Sequence, residues 1–179
     1  MPQYFETFPK RQYDIDNSGN TKVVTDIFRR LKVRDGIKDN LALYASYDVT
    51  PGDTPESISY KHFGSTDYFW VICLMNDITD RFYDWPLSDA AFEEYVKQKY
   101  TNPAGIHHYE KDQSSGSITQ DGPGNFDHKI EVNSDDADGQ SVSNYEYESR
   151  IQDQKRQIKL LDKAYLNTFV EEFERLVKR

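Results

Sequence analysis

The stretch Tyr47-Asp48-Val49-Thr50-Pro51-Gly52-Asp53-Thr54-Pro55-Glu56-Ser57-Ile58 decides how this chain is read. Residues 41–50 have the composition of a strand, and Pro51-Gly52 turns it. Asp53 or Thr54 can accept from the free N–H groups of a new helix, with Pro55 and Glu56 at first-turn positions that suit a proline and an acid. Ile58 then points to a core, and Gly64 stops the helix. Asp67 opens a second helix, from Tyr68 to about Met75, that is apolar almost all round and therefore buried on most sides. Asn76-Asp77 closes it, and a short extended piece over 78–87 follows. The pattern is strand, helix, helix, strand within about 45 residues.

Outward from this centre the texture changes. Residues 1–20 mix Tyr4, Phe5, Phe8 and Tyr13 with Pro2, Pro9 and a polar run. Without a period of two or 3.6, they read as an extended arm ending in a turn near Gly19. Val23, Val24, Ile27, Phe28 and Leu31 then fall on one face of a helix, which Asp35-Gly36 ends. After Pro86, Ser88 caps a helix with Ala91, Phe92, Tyr95, Val96 and Tyr100 on one face, stopped by the run from Asn102 to Gly105. Residues 107–144 alternate in short pieces (117–120 and 126–132) between Gly/Ser/Asp turns, a small β region. Residues 145–148 alternate again, as an edge strand does. In the last thirty residues, Ile151, Ile158, Leu161, Tyr165, Phe169, Phe173 and Leu176 form one stripe of a long amphipathic helix that something has to cover.

Composition bounds the function. The chain has 179 residues and a net charge of −9, so a nonspecific nucleic-acid surface is excluded as a first reading. The charge is split, +3 on residues 150–179 and −12 on the remainder. Leu, Ile, Val and Phe make up roughly 22% of the chain, just above the level near 20% where charged chains stay disordered. One cysteine excludes an intrachain disulfide framework and fits a reducing compartment. No run reaches the ~18 apolar residues of a membrane span, and the N-terminus lacks a signal-peptide profile. Aromatics nevertheless make up 14% of the chain, more than a small core uses, which points to partner interfaces.

The opening stretch resembles the start of a LysM module, with its strand, Pro-Gly-Asp-Thr turn and helix beginning near Ser57-Ile58. The run from Tyr68 to Ile78, then Tyr83 to Ser88, then Phe92 to Tyr100, is similar to the LysM-containing baseplate wedge subunit (the gene fifty-three product) of T-even-type contractile-tailed bacteriophages. So are Ser143 to Glu148, Lys155-Arg156 and Ile158 to Leu161. The resemblance implies an α+β protein with a LysM-like βααβ module, an N-terminal arm and helix, a small β region and a C-terminal amphipathic helix. Its divisions are 1–40 for the arm and helix, 41–101 for the module and following helix, 102–148 for the polar β region and 149–179 for the C-terminal helix. It implies a structural role in the virion, in the tail baseplate, assembled in the host cytoplasm. The chain would bind wedge core proteins and help join neighbouring wedges, without catalysis, cofactor, nucleic acid or membrane. Expected partner contacts are Tyr4, Phe5, Phe8 and Tyr13 on the arm and Phe169, Phe173 and Leu176 on the helix.

The alternative implied by the resemblance is binding of N-acetylglucosamine polymers, peptidoglycan or chitin, by Gly52, Asp53, Thr54, Asn76 and Asp77. The plainer reading is that Asp53 and Thr54 cap a helix, and Pro55 removes a backbone N–H that a sugar amide would need. Metal ligation is not expected. His62, His107, His108, His128 and Cys73 lack ligand spacing, the adjacent pair His107-His108 should point apart into solvent, and Cys73 reads as a small buried hydrophobe. Asp14-x-Asp16-x-Ser18-Gly19 begins like a calcium loop but has Thr25 where the bidentate acid belongs, and the stretch around Gly139 ends on Tyr145. Both read as polar turns. Phosphate-cradling, dinucleotide and nucleophile-elbow motifs are missing, and no enzyme is expected.

Overall fold

A computed structural model describes residues 4–34, 38, 40, 42–112 and 129–179. The expected helix stop at Asp35-Gly36, the strand pieces 117–120 and 126–128, and His128 lie outside the described residues. Strands are β1 (Lys10–Tyr13), β2 (Lys22–Thr25), β3 (Tyr44–Asp48), β4 (Ile106–Asp112), β5 (Lys129–Val132), β6 (Gln140–Ser143) and β7 (Gln157–Leu161). Helices are α1 (Pro55–Phe63), α2 (Phe69–Met75), α3 (Arg81–Asp84), α4 (Asp89–Lys99), α5 (Asn144–Arg156) and α6 (Leu166–Val177). The fold is α+β, with small sheets and a C-terminal amphipathic helix.

The chain forms two compact units. The first combines residues 1–48, 52–84 and 158–179. Its centre is the decisive stretch. Thr54 caps α1 by accepting from the Ser57 N–H at 3.2 Å, and the Thr54 N–H donates back to Ser57 Oγ at 2.9 Å, a reciprocal capping box. Gly64 ends α1 at φ +83°, a left-handed conformation that glycine adopts without steric cost. α2 is buried at Trp70, Val71, Ile72 and Met75, as its all-round apolarity requires.

Three elements of this unit depart from the sequence reading. Residues 22–25 are a strand, not a helix. Asp14 accepts from the Ser18 and Gly19 N–H groups at 3.2 and 2.8 Å, tightening a turn in which Gly19 sits at φ +84°. The β-branched run Val23-Val24-Thr25 then pairs antiparallel with β1, Lys10 opposite Thr25 and Tyr13 opposite Lys22. Residues 78–87 hold α3 rather than a strand, because Asp84 Oδ2 accepts from the Thr79 and Asp80 N–H groups at 2.8 and 2.9 Å and winds the chain. The strand partner of β3 is instead β7, more than a hundred residues downstream. Leu43 O accepts from the Asp162 N–H at 2.9 Å, while the Val49 N–H donates to Arg156 O at 2.8 Å, so the pair runs antiparallel. The long C-terminal helix is accordingly shortened to α6. β7 interrupts it because Ile158, Leu160 and Leu161 are all buried, a set that one helical stripe cannot supply.

The second unit comprises residues 49–51 and 85–157. Its sheet has the order β5-β4-β6, antiparallel throughout. α4 is capped by Ser88, whose Oγ accepts from the Ala91 N–H at 3.4 Å. Residues 145–148, expected as an edge strand, open α5, since Ser143 Oγ accepts from the Glu146 N–H at 3.1 Å. Trp85, Phe92, Val96 and Val142 are buried here together with Glu110, Glu148 and Gln152.

Candidate functional site

The residues of the sugar-binding alternative are occupied by the fold itself. Asp53 does not cap α1. Its Oδ2 accepts from the Tyr47 hydroxyl at 2.9 Å and its Oδ1 from Lys61 Nζ at 2.6 Å, which lifts the lysine above its ordinary value. Thr54 is consumed by the capping box. Gly52, at φ +90°, permits the turn into the helix. Asn76 is engaged on both ends of its amide. Its Nδ2 donates to Ile72 O at 2.9 Å and Lys159 O at 2.8 Å, and its Oδ1 accepts from the Lys159 N–H at 2.7 Å. The side chain thereby pairs with β7 as a strand residue would. Asp77, left-handed at φ +55°, accepts from Lys38 Nζ.

The aromatics of the arm and of the C-terminal stripe meet each other inside the first unit. Trp70 and Phe173 have ring centroids 4.6 Å apart; Tyr4 lies 5.5 Å from Trp70 and 5.3 Å from Phe173, and Phe8 6.3 Å from Phe173. Phe169 lies 6.3 Å from Trp70. Burial pushes the Tyr4 phenol above its ordinary pKa, against the opposing charge of Arg30. Of the seven expected contact residues, Phe8 and Phe173 are interior, each 4% exposed, and Tyr4 and Phe169 are half-buried. Phe5, Tyr13 and Leu176 face outward. Sequence reasoning passed over larger exposed groups, chiefly Phe28, Phe82 and Tyr83, because they sit at helix-like or turn-like spacings.

The second unit carries two buried carboxylates. Glu110 on β4 is clamped by Arg150 (Nη1 to Oε2 2.8 Å, Nη2 to Oε1 3.0 Å) and by Lys129 Nζ at 2.7 Å. The Arg150 guanidinium, helped by Lys129 and opposed by burial, draws its pKa down to about 2. Burial alone would raise Glu148, but Lys99 Nζ and the Tyr100 hydroxyl, each 2.7 Å from its Oε1, outweigh that and hold it below the usual range. These pairs fasten helices to a sheet and to each other. They do not set an acid beside a base in a cavity. His107 and His108 do not point apart as expected. The pairing irregularity between Ile106 and His108 brings their Nδ1 atoms within 2.9 Å, and His107 stacks on Tyr147 at 3.9 Å. His62 Nε2 donates to Leu161 O at 2.8 Å.

Cys73 is partly buried, and burial pushes its thiol up to about 11. The Asp14–Gly19 run is a polar turn whose carboxylates accept from its own backbone. No group of three or more His, Cys, Asp or Glu able to hold a metal is found among the described residues, and none of their helices is long and apolar enough to cross a membrane.

The candidate polar residues Asp53, Thr54, Asn76, Glu110 and Glu148 are thus engaged within the fold, while Phe28, Phe82 and Tyr83 stay at its surface. The sequence model of the base plate wedge protein 53 family matches residues 4–122, and the chain belongs to that family. It is also similar to the baseplate wedge protein gp53 of Enterobacteria phage T4, at 26% identity over 194 residues covering 98% of this chain and 95% of that protein. The chain is therefore a structural component of a phage baseplate wedge.

Proposed function

We propose that the chain binds wedge core proteins and helps join adjacent wedges into the baseplate ring, and that it does so without catalysis after assembly in the host cytoplasm. The observation that carries this reading is the placement of its aromatics. Tyr4, Phe8, Trp70 and Phe173 complete an interior, yet Phe28 remains 95%, Phe82 83% and Tyr83 75% exposed. Large aromatics left in water beside a finished core are what a protein interface uses. Within the expected contact set, Phe5, Tyr13, Phe169 and Leu176 supply partner surface, while Tyr4, Phe8 and Phe173 hold the arm and α6 in place.

The β3-α1-α2-β7 arrangement supports a LysM-like module in which the closing strand is supplied from the far side of an insertion at residues 85–157. In this reading the module serves as a scaffold. Asp53, Thr54 and Asn76, which a sugar would need, already hydrogen-bond within the chain. Co-expression with candidate wedge proteins tests the proposal. Capture of the chain in a defined complex, lost on Phe28→Ser/Phe82→Ser, is expected. A chain that stays a free monomer with every wedge protein contradicts it.

A further inference from the structure

The pairing irregularity in β4 turns two neighbouring histidines of the second unit onto one another. The Nδ1 atoms of His107 and His108 lie 2.9 Å apart, so one ring donates a proton and the other accepts it. The surroundings decide which. The other ring nitrogen of His108, Nε2, lies 3.8 Å from Glu110 Oε2. Neutral His108 therefore carries its N–H at Nε2, toward the carboxylate, and leaves Nδ1 as a lone pair. His107 then donates from Nδ1. Its ring stacks on Tyr147 of α5, with centroids 3.9 Å apart and planes inclined by 10°. Through that stack the pair joins β4 to the first turn of α5.

This arrangement accommodates one further proton but not two. His107 can be charged at Nε2 while its Nδ1–H still donates. Charging His108 places a hydrogen on its Nδ1 as well, and two like-charged N–H groups then face each other at 2.9 Å. The titratable and charged groups around the pair are Glu110 on β4, Lys129 and Glu131 on β5, and Glu146, Tyr147 and Arg150 on α5, while β6 carries none. Glu110, the carboxylate beside His108, is already held by Arg150 and Lys129 and gives a second imidazolium little compensation. We infer that the His107–His108 pair is a proton-sensitive latch, which fastens β4 to α5 at neutral pH and opens when mild acid charges both rings. The Glu110–Arg150 ion pair keeps α5 attached until the pH falls further. In the unfolded chain both histidines charge near the ordinary value of about 6.5, so the unfolded state binds more protons than the latched one. The stability of the second unit accordingly falls as the pH drops through that range, a window above the one in which Glu110 is protonated.

The test uses the full chain. Imidazole 15N spectra at about pH 8 are expected to show the proton at Nδ1 of His107 and at Nε2 of His108; Nε2–H on both rings overturns the latch. Urea unfolding is followed by Trp85, the tryptophan of the second unit, in a Trp70→Phe background. Its unfolding constant should rise at least about threefold between about pH 7 and pH 5, and no more than about tenfold per pH unit for the one excluded proton. His107→Phe keeps a ring on Tyr147 but can neither donate nor charge, and it should remove most of that rise. A rise that survives this change, or an unfolding constant that does not rise with His107 present, contradicts the latch. If His107→Phe fails to fold, the spectra alone decide.

Discussion

Replacing Asn76 with alanine should loosen the first unit at the seam between α2 and β7. The side chain makes two bonds to the Lys159 backbone, at 2.8 and 2.7 Å, and a third to Ile72 O at 2.9 Å. A net contribution of about 1 kcal/mol per bond, with a further penalty of about 1 kcal/mol or more for any strand group left dry, gives roughly 3–4 kcal/mol. Asn76→Asp separates the parts. A carboxylate still accepts from the Lys159 N–H but cannot donate to either carbonyl, so most of the loss should persist. The chain has two tryptophans, one in each unit, so a Trp85→Phe background leaves Trp70 to report the first unit alone. At a urea slope of about 1–3 kcal/mol/M, the midpoint should fall by roughly 1–4 M. A change below about 0.5 kcal/mol for Asn76→Ala would mean that β7 is held without this side chain, and the closure described here would be wrong.

Three further outcomes follow from other contacts. Because the folded pKa of Glu110 lies at about 2 against an ordinary 4.5, its ion pairs stabilise the second unit by about 3 kcal/mol at neutral pH. A depressed carboxylate pKa means this stability is present above pH ~4.5 and lost as pH falls toward 2. Glu110→Gln should flatten that acid limb, followed by Trp85 fluorescence in a Trp70→Phe background. Phe173→Ala should cost about 3–5 kcal/mol by the same urea assay on Trp70, whereas Leu176→Ala, at a half-exposed position, should cost under about 1 kcal/mol; equal costs would show that α6 docks differently. Thr54→Ala should lose about 1 kcal/mol as a helix cap, and millimolar chitin oligosaccharide should leave the melting of the unaltered chain unchanged; a saturable upward shift would restore the sugar reading.

What the sequence disclosed was local. The turn at Pro51-Gly52, the Thr54 cap, the all-apolar α2 and the Ser88 cap depend on a few neighbouring residues, and each is found. The β7 strand was hidden because Ile158 and Leu161 continue a spacing of three and four from one helix into another. Leu160 was the available signal, since Ile158 and Leu160 alternate as a strand does. Pairing of β3 with a strand beyond an insertion leaves no trace in periodicity at all. The N-terminal hairpin failed for a related reason. Val23, Val24 and Ile27 satisfy helical spacing, but the carboxylate-bound turn at Asp14 and the β-branched run favour pairing. Glu148, read as the last residue of an edge strand after Tyr147, is instead a buried acceptor for Lys99 and Tyr100, a role visible only once α4 and α5 are adjacent.

The aromatic surplus divides accordingly. Part of it closes the first unit through Trp70 and Phe173, and part stays outside at Phe28, Phe82 and Tyr83. Quantitative mass spectrometry of purified baseplates tests the assigned role most directly. The account predicts this chain in a fixed ratio to the other wedge proteins, retained through a high-salt wash. A chain found only in the free lysate protein, and missing from tails that are otherwise complete, would contradict it.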